Sequence, residues 1–240
     1  MKVKSLLSAL YKSFKVIIIF SEIAAVIFII INFATFSQII DRYVFTENFL
    51  QRQKALYKLT NQQNKISIIP SLQTKEKVWK NFPPLSSSMT PLENYIVIPK
   101  IAKNVPIVEI SDQSLLNADW KGLENDIQRG LQYGVVHYPQ TALPGKIGNF
   151  FLTGHSSYYS WNQGEFKDAF VLLHDIDLKD QITVFYGQKR FDYQVKEIKI
   201  TKPKDVSILD QPENKKIITL MTCTPIGTAK NRLVIIAEEV

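Results

Sequence analysis

The stretch Ile217-Ile218-Thr219-Leu220-Met221-Thr222-Cys223 is the clearest structural signal in the sequence. Apolar and β-branched residues fill it, and a run of that kind favours a β-strand. Its last residue, Cys223, is the single cysteine among 240 residues. One cysteine excludes an internal disulfide and a cysteine-rich zinc cluster. Cys223 is therefore either a small apolar residue of the core or a reactive thiol.

Similar short runs, separated by turn signals, recur across residues 92–240. The predicted strands are Asn94–Ile101, Pro106–Ile110, Gly148–Gly154, Gln181–Tyr186, Phe191–Thr201, Lys216–Thr222 and Arg232–Ala237. Tyr186–Arg190 is a predicted hairpin connection. Short helices are predicted at about 113–119, 124–131, 166–173 and 204–209. Short strands in this number predict a mainly β domain, either an antiparallel barrel or a sandwich.

Composition predicts a folded chain with an uneven distribution of charge. Hydrophobic residues make up 45% of the chain and charged residues 21%, which excludes a mostly disordered protein. The formal net charge of +7 invites a nucleic-acid-binding hypothesis. However, residues 1–91 hold 12 Lys and Arg against 4 Asp and Glu, while residues 92–240 hold 17 against 18. The predicted folded part is close to neutral, so we expect no nucleic-acid partner.

An apolar stretch at residues 16–36 predicts a membrane anchor. At ~1.5 Å per residue it is long enough to cross a hydrocarbon core of ~30 Å. Residues 1–15 form a basic flank that contains Lys2, Lys4, Lys12 and Lys15. Positive charge on this side predicts a cytoplasmic N-terminus and an exported remainder. No small-x-small cleavage site follows, which favours an uncleaved signal anchor over a cleavable signal peptide or a buried core helix.

Residues 37–91 are more polar and predict an extracytoplasmic stalk. A helix is predicted over about 40–59, and Pro83–Ser88 predicts a flexible linker. The lysines of this region are expected to be solvated or close to anionic lipid headgroups.

Two further side chains lie, like Cys223, at the ends of predicted strands. His155 ends the apolar run Phe150–His155, and Arg232 opens the last strand, nine residues after Cys223. A thiol, an imidazole and a guanidinium can supply a nucleophile, a proton-transfer group and a cation for a developing oxyanion. Spacing alone leaves open an inert core cysteine and a turn histidine.

Thr219-Leu220-Met221-Thr222-Cys223 matches the Thr-Leu-x-Thr-Cys signature of sortases, the cysteine transpeptidases of Gram-positive-type cell surfaces. Leu152-Thr153-Gly154-His155 is similar to the histidine motif of that family, and Arg232 lies where the family places its essential arginine. The segment His137–Gly145 also resembles the one that precedes the catalytic histidine in several classes. The resemblance covers residues 92–240, with its motifs in the family's order of His, Cys and Arg.

The resemblance implies a closed eight-stranded sortase β-barrel over residues 92–240. Cys223 would attack the carbonyl between Thr and Gly of an LPxTG-like sorting signal on a surface protein. An amine, from a cell-wall precursor or a pilin lysine, would then resolve the thioacyl enzyme. His155 would protonate the leaving amine and deprotonate the entering one. Arg232 would hold the substrate backbone and stabilise the oxyanion.

Two threonines next to the cysteine complete the implied site. Thr222 is expected to position the peptide, and the backbone N–H of Thr224 is the expected oxyanion donor. His137 and His174 are expected to have structural or surface roles. No cofactor is implied, and a calcium site is the open alternative to a solvated acidic face. The carboxylates in question are Glu165, Asp168, Asp175 and Asp177.

The subclass and several rival functions stay open. The linker offers Trp79–Pro84 but no Asp-Pro-aromatic lid motif, and no second apolar segment follows the last strand. Both features favour protein anchoring over pilin polymerisation, although Thr222–Pro225 also resembles the pilin and sporulation-type classes. A papain-like protease needs its cysteine before its histidine, whereas here His155 comes before Cys223. An L,D-transpeptidase needs a Ser-x-Gly-Cys-x-Arg pattern, which is absent around Cys223. A non-enzymatic surface scaffold protein is the remaining alternative.

Overall fold

The computed structural model describes residues 2–31, 33–44, 46–61, 92–157 and 164–240. These ranges contain the apolar N-terminal segment and nearly all of the predicted β domain. The predicted flexible linker Pro83–Ser88 and the segment Trp79–Pro84 lie outside the described residues.

Three helices precede the β domain: α1 (Lys2–Ile31), α2 (Phe33–Val44) and α3 (Thr46–Asn61). Within α1, Tyr11–Ile30 is long and apolar enough to cross a membrane, with a mean hydropathy of 2.4 and none of it buried. This span overlaps the predicted anchor at residues 16–36, and α1 ends at Ile31.

Helix α3 packs against the β domain. The Gln53 side-chain amide donates a 2.7 Å hydrogen bond to the carbonyl oxygen of Lys100, in the 3-10 turn Pro99–Ile101. Phe49 of α3 and Ile39 of α2 pack against the hydrophobic core. The helix predicted over about 40–59 is thus present as α2 and α3, and part of the predicted stalk is in contact with the domain.

Eight strands close into a barrel in the order β1-β2-β3-β4-β7-β8-β6-β5. Their bounds are β1 (Tyr95–Ile98), β2 (Lys103–Glu109), β3 (Val135–His137), β4 (Gly148–Thr153), β5 (Gln181–Tyr186), β6 (Lys189–Thr201), β7 (Lys216–Thr224) and β8 (Asn231–Glu239). The predicted hairpin is confirmed: Gly187 and Gln188, both with positive φ, join β5 to β6. The predicted mainly β barrel is therefore present.

The barrel is mixed, so the expectation of antiparallel pairing is wrong at two places. β2 pairs with β3 and β4 pairs with β7 in parallel, whereas the other neighbours are antiparallel. Parallel neighbours need a long crossover connection. Helices α4 (Gln113–Leu116) and α5 (Trp120–Gly130) provide it between β2 and β3, and the β5–β6 hairpin provides it between β4 and β7.

The remaining differences concern short elements. The three-residue strand β3 has no counterpart among the predicted strands. The helix predicted at 166–173 is a series of turns followed by a 3-10 turn, Leu173–Asp175. The helix predicted at 204–209 is a 3-10 turn, Val206–Leu209, whose first turn is capped by Asp205.

Strand β4 is buried on both faces and brings the site together. Phe150 and Leu152 point into the main core, while Phe151 packs on the outside with Ile208 and Val234. The 3-10 turn Val206–Leu209 therefore lies over the outer face of β4 and forms a wall beside the end of the strand. The barrel positions β4, β7 and β8 side by side, and their ends carry the candidate residues.

Candidate active site

Cys223 and Arg232 lie opposite each other on neighbouring strands. They are paired residues in the antiparallel β7–β8 ladder. Side chains at directly opposed positions share one face of a sheet, with Cβ atoms about 4.5–5.5 Å apart. Cys223 and Arg232 are nine residues apart in the sequence, and the strand pairing brings their side chains next to each other in the fold. Cys223 is a free, half-buried thiol.

His155 reaches the same region through the parallel pairing of β4 with β7. In that ladder Thr153 is opposite Met221, so the residue two positions further along β4 lies level with Cys223. The Gly154 amide continues the ladder by donating a 3.1 Å hydrogen bond to the Met221 carbonyl. The carbonyl of His155 accepts a 2.9 Å hydrogen bond from the Phe170 amide, which fixes the backbone on the other side.

Gly154 is required by close packing beside the histidine. A Cβ atom at this position would lie 2.6 Å from Cδ2 of the buried Phe170 ring. A side chain here would therefore displace either the ring or the backbone that carries His155. This contact explains why a glycine precedes His155 in the sequence.

The three candidate side chains line one cavity of about 320 Å³. Its walls come from α5, from the segment after β3, from β4 and from the 3-10 turn over β4. The wall residues are mostly apolar and include Ile127, Leu131, Tyr138, Phe151, Ile208 and Leu209. A mostly apolar groove with a few convergent polar groups is typical of a binding site for a peptide or small molecule. We call this cavity the groove.

Burial sets the charge state of the histidine. It lowers the pKa of the His155 imidazole from 6.5 to about 4. Desolvation disfavours the charged form of a base, so the ring is neutral near pH 7 and available to accept a proton. A neutral imidazole beside a thiol is the arrangement used to activate a cysteine nucleophile.

The Arg232 guanidinium is oriented by the backbone of its own loop. Its Nη1 donates to the carbonyl of Ala229 at 3.1 Å and to that of Asn231 at 3.2 Å. These bonds use one nitrogen of a group that carries five N–H donors in a fixed plane. The strand pairing and these bonds together hold a permanent positive charge next to Cys223.

The two threonines beside Cys223 occupy different surroundings. Thr222 is only 2% exposed, and its hydroxyl donates a 2.7 Å hydrogen bond to the buried carbonyl of Gly154. It therefore ties β7 to the residue that precedes His155. Thr224 is paired with Asn231 across the ladder and lines a second cavity behind Cys223.

We expect Thr222→Val to lower both stability and activity. Valine keeps the shape but removes the only side-chain donor that Thr222 offers to the Gly154 carbonyl, which costs about 1–3 kcal/mol for a buried acceptor. Displacement of His155 should also reduce kcat/KM roughly 10- to 100-fold. Urea unfolding and steady-state kinetics measure the two effects. Thr222→Ser keeps the hydroxyl and should preserve both properties. Equal behaviour of the two variants would contradict this account.

The other two histidines differ from each other. His137 is buried, with Nδ1 2.8 Å from a Glu109 carboxylate oxygen and Nε2 2.9 Å from the Thr141 hydroxyl. It does not line the groove. His174 is half exposed and lines the second cavity next to Cys223, a position that no motif in the sequence indicates.

Two of the four acidic residues considered for calcium, Asp168 and Asp177, make ion pairs with lysines. Asp168 lies 3.6 Å from Lys103, and Asp177 lies 2.8 Å from Lys100. Within the ranges that the structure describes, no three His, Cys, Asp or Glu residues are grouped so as to hold a metal ion.

The groove walls are the part of the site that the sequence motifs do not reveal. Tyr138 follows β3, and Ile208 and Leu209 lie in the 3-10 turn over β4. The signal for this wall in the sequence is the set of aliphatic residues Val206, Ile208 and Leu209 in the connection between β6 and β7. Its placement over β4 depends on the tertiary fold.

Comparison with known proteins identifies relatives of this chain. Residues 96–240 match the sortase domain family. Sortase SrtE1 of Streptomyces coelicolor is 31% identical over an alignment of 173 positions that covers 65% of this chain and 43% of that protein. Sortase D of Bacillus subtilis is 29% identical over 146 residues, which are 60% of this chain and 61% of that protein. The chain thus spans about half the length of these curated relatives.

A solved structure with a similar fold is that of sortase C-1 from Actinomyces oris. It matches this chain with a TM-score of 0.50 at 24% sequence identity. The match covers 80% of this chain and 98% of the other. At this identity the comparison supports the barrel fold and no finer property.

Proposed function

The chain belongs to the sortase family, and from this we propose that it is a membrane-anchored cysteine transpeptidase. Its substrate would be a surface protein with an LPxTG-like sorting signal, which it would transfer to an amine on the cell wall. The observation that carries the proposal is the convergence of three strand ends. Cys223 and Arg232 are opposed across β7–β8, and β4 brings His155 to the same end of the barrel.

Cleavage would begin with transfer of the Cys223 thiol proton to the neutral imidazole of His155. The thiolate attacks the carbonyl carbon of the Thr–Gly bond, and the tetrahedral intermediate collapses as the C–N bond breaks. The imidazolium gives its proton to the leaving amine. The product is a thioester between Cys223 and the threonine carbonyl, and an entering amine resolves it by the reverse sequence.

Arg232 and the backbone would stabilise the negative charge that develops on the carbonyl oxygen. The guanidinium is held beside Cys223 by the ladder and by its bonds to the preceding loop. A charge-assisted hydrogen bond from a planar guanidinium is stronger than one between neutral groups. We propose the backbone N–H of Thr224 as a second donor. Thr222 would act on the peptide through the position of His155.

Helix α1 would hold the enzyme in the membrane. Its span Tyr11–Ile30 is apolar and exposed, and the preceding lysines favour a cytoplasmic N-terminus. The barrel would then lie outside the cell, where sorting-signal proteins and amine acceptors meet. The lysines of residues 1–15 would thus set the orientation of the protein in the membrane.

The proposal is tested with the full chain in detergent micelles. It is incubated with a panel of quenched fluorescent peptides of the LPxTG type, with and without triglycine as acceptor. We expect peptide cleavage in both cases and a triglycine-linked product, detected by mass spectrometry, when the acceptor is present. Peptides with the same residues in scrambled order serve as controls. Absence of cleavage across the panel would favour a non-enzymatic scaffold protein.

A further inference from the structure

A second cavity of about 340 Å³ lies behind the cysteine. It shares Thr222 and Cys223 with the groove, and its other walls are different. Those walls come from the segment after His155, from the 3-10 turn Leu173–Asp175 and from the β7–β8 connection. The Gly227 amide donates a 2.9 Å hydrogen bond to the Ser157 hydroxyl, which joins two of these walls. Cys223 therefore separates two distinct cavities.

His174 supplies an imidazole to this second cavity. Its Nδ1 lies 3.0 Å from the Val171 carbonyl oxygen, which can only accept, so Nδ1 carries a hydrogen. In the neutral ring Nε2 is then an acceptor with a lone pair. Nε2 also lies 3.6 Å from a carboxylate oxygen of Asp175, which would stabilise a proton taken up there. The next acidic side chains along the chain, Asp177 and Asp180, are paired with Lys100.

The chemistry of transfer assigns different roles to the two sides of Cys223. Resolution of a thioester by an amine is the reverse of its formation, so the leaving and entering amines use the same side of the sulfur. If the acyl part of the substrate lies in the groove, the amine side is the second cavity.

An entering amine must lose two protons, and His155 handles one of them. Amino groups reach the enzyme as ammonium ions near pH 7, because lysine has a pKa of about 10.4 and an α-amino group about 7.7–8.0. One proton must leave before the nitrogen lone pair can attack. The second is lost when the C–N bond forms, and it passes through His155 to the sulfur.

We propose that the second cavity receives the entering amine and that Nε2 of His174 accepts the first proton of its ammonium group. The resulting neutral amine attacks the thioester carbonyl carbon, the C–S bond breaks, and the second proton returns to Cys223. The imidazolium of His174, next to Asp175, then releases its proton to solvent. This inference rests on the proposed function and extends it to the acceptor side.

The test separates acyl-enzyme formation from its resolution. His174→Asn replaces the ring with an amide that can still donate to the Val171 carbonyl but offers no base. The full chain in detergent is assayed with one cleavable LPxTG-type peptide and triglycine at pH 7 and pH 9.5. We expect peptide cleavage without acceptor to stay within about twofold of the wild type. The ratio of transfer to hydrolysis at pH 7 should fall roughly 10- to 100-fold, with a higher KM for triglycine.

Raising the pH distinguishes a role of His174 in proton transfer from a purely structural role. At pH 9.5 most triglycine is already neutral, so the transfer ratio of His174→Asn should recover towards that of the wild type. An unchanged ratio at pH 7, or a defect that persists at pH 9.5, would overturn the proposal. Leu178→Ala, at an exposed position outside both cavities, is the control and should leave all rates unchanged. If His174→Asn does not fold, His174→Gln takes its place. Absence of peptide cleavage by the wild type would instead reject the proposed function.

Discussion

Replacing Cys223 with alanine should reduce peptide cleavage at least ~10⁴-fold and abolish the covalent intermediate. The chain contains no other cysteine, so no neighbouring thiol can replace the lost nucleophile. Initial rates with a fluorogenic LPxTG-type peptide measure the first effect. Intact-mass spectrometry measures the second, as disappearance of the acyl adduct that the wild type forms with peptide in the absence of amine.

Stability distinguishes this loss from misfolding. Cys223 is small and half buried, so Cys223→Ala should unfold at nearly the same urea concentration as the wild type. An inactive variant with an unchanged unfolding midpoint supports Cys223 as nucleophile. Cleavage that persists in Cys223→Ala would assign the nucleophile elsewhere.

Replacing His155 with glutamine should slow cleavage by about 10³-fold while leaving peptide binding intact. Glutamine retains the size and polarity of the side chain but cannot shuttle a proton between the thiol and the leaving amine. We therefore expect the loss in kcat, with KM for the peptide changed little, measured by steady-state kinetics. A loss confined to KM would show that His155 binds substrate and does not transfer protons.

The same substitution has a consequence for stability in acid. The folded-state pKa of His155 is about 4, below its ordinary 6.5, so the unfolded chain binds a proton first as the pH falls. The wild type should therefore lose stability between about pH 6.5 and pH 4, by on the order of 3 kcal/mol. His155→Gln should lack this part of the dependence. Urea unfolding at pH 7, 5 and 4 compares the two proteins, and parallel pH curves would contradict the buried neutral state.

Strands can be predicted where the sequence carries long β-branched or aromatic runs. The prediction for Gln181–Tyr186 has the observed bounds, and the runs that form β4, β7 and β8 are each recognisable as strands. Strand β3 escapes prediction because three residues are too few to show a period. The helix prediction at 166–173 is wrong because Ala169–Leu173 is apolar for another reason: these residues fill the core of the barrel in turns.

The order of the motifs predicts the candidate residues His155, Cys223 and Arg232, but it does not predict their geometry. His155 and Cys223 are 68 residues apart, and only the parallel β4–β7 pairing shows that their strand ends are level. The low pKa of His155 likewise depends on burial by the folded chain. His174 belongs to no motif, and its place beside Cys223 depends on how the 3-10 turn closes against β7.

The contact between α3 and the barrel bears on where catalysis can occur. Gln53, which binds the Lys100 carbonyl, follows the end of α1 by 22 residues, a distance of roughly 30 Å if helical throughout. For an enzyme anchored by α1, this docking would hold the adjoining edge of the barrel within roughly 30 Å of the end of α1. Substrates and acceptors that are themselves attached to the membrane would then meet the enzyme by lateral diffusion in two dimensions. Their encounter rate would depend on surface density in the membrane and not on concentration in the surrounding fluid.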